Sequence, residues 1–317
     1  MREVILEVKN VTKCFDMIDG KQLIACNQLC FNLFAGEILG IVGESGCGKS
    51  TLLKMISGMT SVNSGEILYQ NKDISHLKGK NLRKHRSHIQ MVFQNPNASF
   101  YQKMKIVDAL SEPLKNYRGM NKKACQQMAG DLLESVGLPR EFAKRYPHAL
   151  SGGQCQRLAI ARAIAAEPSI LICDEATSAL DTTSTQNIVS LIQSLQVEKK
   201  LSTLFVCHDI ALVNAISHRI LVMYLGNIVE TLPGGNIRQE ALHPYTQLLL
   251  DSTFVVGMEK ETMQNNSTIA NEITQTTHIT GCPFHPRCKY AMPLCKEQKP
   301  MLQTLREGHE VACHRVK

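Results

Sequence analysis

EILGIVGESGCGKSTLLKMISGM, residues 37–59, decides the fold. It opens with a short apolar run, EILGIVG (37–43), of the kind that suits a strand buried on both faces. It closes with KSTLLKMISGM (49–59), which reads as a helix. Between them, GESGCGKST (43–51) fits G-x-x-x-x-G-K-[ST], and the predicted strand before and helix after are the context that gives this motif its meaning. Gly43, Gly46 and Gly48 let successive backbone N–H groups converge on phosphate oxygens. The helix N-terminus adds partial positive charge. Lys49 is placed to reach the β- and γ-phosphates, and the Ser50 hydroxyl to reach Mg²⁺. Ser45, Cys47 and Thr51 complete the cradle.

Further apolar runs of the same kind are HIQMVF (88–93), SILIC (169–173), STLFVC (202–207) and RILVMYL (219–225). They alternate with helical stretches such as QCQRLAIARAIAA (154–166) and TQNIVSLIQSLQVEKK (185–200), so a largely parallel α/β sheet is expected. Three of these runs end in chemistry. SILICDEATSALD (169–181) ends its strand in Asp174, assigned to Mg²⁺, and Glu175, placed to orient and polarise an attacking water. FVCHDI (205–210) delivers His208, and MVFQNP (91–96) delivers Gln94, whose amide suits both Mg²⁺ and the water. Open α/β sheets bind ligands at this edge.

LSGGQCQR (150–157) is a second glycine-bearing helix start more than a hundred residues downstream. An ordinary helix N-cap accounts for Ser151 but not for Gly152 and Gly153. Between the phosphate loop and this point, residues 97–157 show no good strand and read as a helical insertion, with KKACQQMAGDLLESVGL bounded by Pro113 and Pro139.

The chain has 317 residues, 44% of them hydrophobic, enough for one large core or two smaller ones. No apolar stretch approaches the ~18–20 residues of a membrane helix. MREVILEVKNV lacks a secretory core, so a cytosolic chain, or one held at a membrane by partners, is expected. Twelve cysteines in that setting are expected as reduced thiols or metal ligands. The net charge of +7 is partly concentrated in HLKGKNLRKHRSH (76–88). That run reads either as a solvated helix face or as a contact for anionic lipid or nucleic acid. Residues 258–280 are polar and read as a linker. Residues 281–317, rich in Cys, His and Pro, read as a small separate module.

Taken together, GESGCGKST, FQNP, LSGGQCQR, LICDE, SALD and His208 occur in the order found in the ATP-binding-cassette (ABC) ATPases, which residues 4–230 resemble. The resemblance implies a phosphate-loop, RecA-like α/β core with a helical subdomain at about 97–157. It also implies that two cassettes pair head to tail. Ser151, Gly152, Gly153 and Gln154 of one then face the γ-phosphate of ATP held by the other, with Asp181 at the interface and Phe15 stacked on adenine. Glu175, His208, Gln94 and Lys49 become the catalytic set, and Ser50, Gln94 and Asp174 the Mg²⁺ set.

HPYT (243–246) and GCPFHPRCKYAMPLC…VACH (281–314) resemble the C-terminal extension of the dipeptide, oligopeptide and nickel uptake cassettes. This implies an importer ATPase with a sister or self cassette, two permease subunits and an external substrate-binding protein. It places the chain at the cytoplasmic face of the membrane, with no nucleic acid as partner. The resemblance points to peptide cargo, with nickel or a metal chelate as the alternative; a soluble, non-transport cassette is a more distant one. The expected division is 1–230, 231–257, 258–280 and 281–317. One departure is SFYQKM (99–104), where those relatives usually carry an Asn-Pro pair. Cys282, Cys288, Cys295 and Cys313 lack the paired C-x-x-C spacing of zinc sites. Members of the family carry a [4Fe–4S] cluster in this extension; a cluster, zinc and unliganded thiols all remain open for these four. Cys47 lies near a helix N-terminus, where a thiol pKa can fall and ATP would protect it from alkylation; an inert side chain is the reading preferred over that one.

Overall fold

The computed structural model describes residues 2–18, 20–178, 180–254 and 280–316. The strands are β1 (Val4–Asp16), β2 (Gln22–Phe34), β3 (Ile38–Val42), β4 (Ser64–Tyr69), β5 (Lys72–Asp73), β6 (Ile89–Val92), β7 (Ile170–Asp174), β8 (Ser202–Val206), β9 (Arg219–Tyr224), β10 (Asn227–Pro233), β11 (Gln303–Arg306) and β12 (His309–Val311). The helices are α1 (Lys49–Ile56), α2 (Gly79–His88), α3 (Ile106–Arg118), α4 (Lys122–Ser135), α5 (Gly152–Ile164), α6 (Thr182–Lys199), α7 (Ile210–Ile216), α8 (Ile237–Glu240), α9 (Pro244–Phe254) and α10 (Pro293–Glu297).

Two sheets result. β2-β1-β4-β5 is antiparallel, and the larger sheet runs β11-β12-β10-β9-β3-β8-β7-β6. Its central members β9, β3, β8, β7 and β6 pair in parallel, as the five apolar runs predict. These runs are continuous rather than alternating because both faces are covered. Ile38, Val42, Leu171, Cys173 and Phe205 pack into the core on the side of α3–α7. Leu39, Ile41, Ile170, Ile172 and Leu204 pack into a second core with α1 and the small sheet. No helix among the described residues is long and apolar enough to cross a membrane.

Several expectations need correction. The long strands β1 and β2 carry a mixed burial pattern and gave no clear apolar run. Pro113 does not bound a helix; it is buried inside α3, where packing against the core outweighs the lost N–H. The basic run is only partly a solvated face. On α2, His85 is buried, and Arg86 donates to Gly58 O at 2.9 Å. Residues 281–317 are not a separate module. β12 pairs with β10, with Glu230 opposite Val311, and Cys282, Phe284 and Cys295 join the main core. The physical reason is the edge of β10, which needs a partner for its backbone groups. Nearly all of the expected linker, 258–279, lies outside the described residues.

Candidate functional site

The C-terminal ends of β3, β6, β7 and β8 meet at one edge of the sheet, and the loops leaving them carry the expected groups. The loop after β3 turns directly into α1. Glycine is required there by close approach as well as by φ. A Cβ on Gly43 (φ 155°) would lie 2.2 Å from Met223 O, and one on Gly48 (φ 107°) 2.1 Å from Ala25 O. Lys49 is buried, and its ammonium donates to Gly43 O at 2.8 Å and Glu44 O at 2.9 Å. The loop thus holds its own cation against carbonyls that a phosphate can replace as the partner. Ser45 and Gly46 are exposed at the loop tip, and Thr51 is half-buried in the first turn of α1.

Ser50 Oγ donates to Asp174 Oδ1 at 3.2 Å, joining α1 to the end of β7. Burial pushes the Asp174 carboxyl above its ordinary value, with the Ser50 hydrogen bond opposing and Glu175 adding to the rise. A buried carboxylate beside a hydroxyl is a donor set that gains from a hard cation, so Ser50 and Asp174 fit Mg²⁺. Glu175 sits in the left-handed region at φ 51°, a conformation costly for a residue with a Cβ. Its N–H donates to Val206 O at 3.0 Å, which holds the turn. Its carboxylate Oε1 lies 2.5 Å from His208 Nε2. Gln94 is exposed after β6 and donates to Ser178 Oγ at 3.4 Å, reaching the same cluster of loops.

The LSGGQ segment opens α5 beside the start of α6: a Cβ on Gly152 would lie 3.7 Å from Leu180 Cδ2. Ser151 caps α5 in a full capping box: Gln154 N donates to Ser151 Oγ at 3.3 Å, and Ser151 N donates to Gln154 Oε1 at 3.0 Å. Asp181 caps α6, accepting from Ser184 N at 2.9 Å and Ser184 Oγ at 2.7 Å. Those hydrogen bonds hold its carboxyl below the usual range. Phe15 is half-exposed at the end of β1, with Lys13 Nζ 5.2 Å from its ring centroid. Cys47 is buried, and burial pushes its thiol up, with Lys49 only partly opposing, which agrees with an inert side chain rather than a lowered thiol pKa.

Sequence reasoning missed a second set of residues around the loop. Glu44 N donates to Tyr245 Oη at 2.9 Å. The Glu44 carboxylate takes two parallel bonds from Arg287, at 2.9 and 3.0 Å. No local signal links these residues, which lie about 200 and 243 positions from Glu44.

Cys282, Cys288, Cys295 and Cys313 line one small pocket together with His243, Phe284 and His285. All four are free thiols, and burial and the neighbouring thiols push Cys282 up to about 11. His243 is fully buried, and its Nε2 finds no hydrogen-bond partner among the described residues. Four thiols are the donor type of a thiolate-bound group, but their placement does not gather them into one. No set of three or more His, Cys, Asp or Glu side chains among the described residues is drawn together as a metal site.

Comparison with known proteins agrees with this geometry. The ABC transporter family model matches residues 26–178, and the oligopeptide/dipeptide transporter C-terminal region matches 229–295. The chain is 38% identical over 325 residues to the oligopeptide transport ATP-binding protein OppF of Haemophilus influenzae, covering 99% of this chain and 98% of that protein. It is 39% identical over 321 residues to the oligopeptide transport ATP-binding protein AppF of Bacillus subtilis, covering 99% and 98%. Among solved structures, the ATP-binding cassette MJ0796, described as dimeric in a post-hydrolysis state bound to ADP and Pi, matches with a TM-score of 0.66 at 32% identity, over 72% of this chain and 98% of that one. A cradle built from the phosphate loop, Asp174, Glu175 and His208, continuous with full-length likeness to these proteins, makes the chain a member of the ABC transporter ATPases, in the oligopeptide transport ATP-binding family.

Proposed function

We propose that this chain is the ATP-hydrolysing subunit of an importer of di- and oligopeptides. The observation that carries this is the Glu175–His208 contact at the end of two parallel strands, in a chain similar throughout its length to oligopeptide transport ATP-binding proteins. Peptide rather than nickel or metal-chelate cargo follows from the names of those relatives.

Gly43–Thr51 bind the nucleotide phosphates, and Phe15 stacks on the adenine. Lys49 exchanges its carbonyl partners for phosphate oxygens. Ser50, Asp174 and Gln94 hold Mg²⁺, which when bound neutralises developing phosphate charge. Glu175 orients the water and accepts its proton, and His208 holds the Glu175 carboxylate in position and contacts the γ-phosphate. Ser151, Gly152, Gly153 and Gln154 meet the nucleotide of a second cassette, either another copy or a sister chain. Asp181 lies at that interface. The segment 97–157 and Gln94 transmit the γ-phosphate state to two permease subunits, which receive cargo from an external binding protein. The chain is then peripheral to the cytoplasmic face of the membrane.

Cys282, Cys288, Cys295 and Cys313 are the residues that would hold a [4Fe–4S] cluster, which would staple the C-terminal segment. Support comes from four free thiols on one pocket; the thiols would have to draw closer together to ligate a cluster, since they are not gathered as a metal site among the described residues. Iron, sulfide and zinc content of anaerobically purified chain separates cluster, zinc and bare thiols.

The function is tested by ATP turnover of the chain alone and after assembly with permease and cassette partners. Stimulation on assembly that Glu175→Gln abolishes supports a transport motor. Turnover indifferent to assembly, or surviving Glu175→Gln, overturns it.

A further inference from the structure

Glu44 is the second residue of the phosphate loop, and it is held from both ends by the C-terminal part of the chain. Its N–H is taken by the buried Tyr245 of α9, and its carboxylate by the guanidinium of Arg287. Arg287 is itself fixed. It donates to Tyr224 Oη at 3.4 Å, and its guanidinium carbon lies 5.7 Å from the Tyr224 ring centroid. Phe284, three residues earlier, packs against Tyr224, Tyr245 and His243. Cys288, the next residue, lines the thiol pocket. A continuous chain of contacts therefore runs from that pocket to the phosphate loop.

The carbonyl of the same residue, Glu44, is one of the two that hold the Lys49 ammonium. Rotating or releasing Glu44 moves both a carbonyl partner of Lys49 and the start of the N–H cradle. A planar, two-bond clamp restricts such rotation better than a single ammonium contact.

We propose that Arg287 is a positioning residue for ATP: through its paired bonds to Glu44, and with Tyr245 holding the Glu44 N–H, the C-terminal segment sets the geometry of the phosphate loop and so the affinity for nucleotide. The proposal rests on ATP binding at this loop and adds to it a control element from more than two hundred residues away. Arg287 touches no phosphate itself; it acts by pre-organising what does.

The test uses the full-length chain with a fluorescent ATP analogue and Mg²⁺, and steady-state turnover in parallel. Arg287→Ala weakens analogue binding about three- to tenfold, as expected for a two-bond, half-buried ion pair. KM for ATP rises by a similar factor, and kcat changes far less. Glu44→Gln, at the more exposed partner, reproduces the effect where Arg287→Ala disturbs folding. The double substitution is no worse than either single one. Arg287→Lys recovers only part of the loss, since an ammonium lacks the fork. Unchanged binding in both single variants, or losses that add in the double variant, overturns the proposal. Lys49→Ala separates the two claims: if it binds the analogue as tightly as the unsubstituted chain, the ATP site itself is misplaced and the proposal falls with it.

Discussion

His208 Nε2 and Glu175 Oε1 lie 2.5 Å apart, although the two residues leave different strands. The imidazole restrains a carboxylate whose backbone is already held in the left-handed region, at φ 51°. In the proposed mechanism Glu175 is the proton acceptor and His208 its support. Glu175→Gln should lower kcat by about 10²–10⁴ while analogue binding persists. His208→Ala should cost less, because the carboxylate remains. Single-turnover rates of the two variants check this; a larger loss in His208→Ala would reverse the assignment.

Gly153 faces Ser184 across the α5–α6 contact. A Cβ there would lie 3.0 Å from Ser184 Oγ and 3.3 Å from its Cβ, and that hydroxyl is bonded to Asp181. Gly153→Ala gains about 1 kcal/mol of helix propensity. It strains or breaks a hydrogen bond worth about 0.5–1.5 kcal/mol. Folding stability should thus change by less than about 1 kcal/mol, by the difference of those two effects. Under the proposed pairing, nucleotide-driven association should suffer more, since making room for the methyl displaces Ser184 and with it Asp181, which the proposal places at the interface. Size-exclusion with Mg-ATP in the Glu175→Gln background reads this out. If the Gly153→Ala chain pairs as readily as the chain that keeps its glycine, the assignment of LSGGQ fails.

Cys47 should alkylate slowly at neutral pH. Its thiol is buried and pushed up, whereas Cys30 is exposed. Mass spectrometry after brief iodoacetamide treatment should find Cys30 labelled well before Cys47. Equal rates would mean that the loop opens readily and that the thiol is more acidic than its burial implies.

The five central strands and the phosphate loop were legible because burial on both faces leaves continuous apolar runs, and because the loop chemistry is local. The placement of Glu175, His208 and Gln94 just past strand ends was legible for the same reason, each following such a run. The C-terminal segment was not legible as part of the sheet. β11 is exposed along its length, and β12 has only three residues. Its attachment depends on Glu230, fully buried, which accepts from Leu242 N and His243 N and lies 3.1 Å from His309 Nε2. A chain ending at residue 254 should therefore not behave as a free-standing cassette. It leaves the edge of β10 unpaired and loses the His309 partner of a buried carboxylate and the Arg287 clamp. It should aggregate and bind nucleotide poorly, as sedimentation and analogue titration would show; a monodisperse truncation of full affinity would contradict the fold as described.

His85 should give the chain a dependence on mild acid. It is buried on α2, its Nε2 lies 3.1 Å from Ile56 O, and its Nδ1 has no partner among the described residues. Burial holds its pKa below the ordinary 6.5, with His88 and Arg86 adding to the depression. Above about pH 6.5 both folded and unfolded chains carry it neutral, and it contributes no pH dependence. Below that, the unfolded chain takes up a proton that the folded chain refuses until the lower folded pKa is reached. Stability is therefore full above the unfolded value and is lost as pH falls towards the folded one. His85→Gln keeps a donor for Ile56 O and removes the titration. Urea midpoints from about pH 7.5 to about pH 5.5, bracketing the ordinary imidazole value, should fall less steeply in the variant. Parallel curves would assign the acid sensitivity to other histidines, because a group with equal pKa in both states contributes no slope.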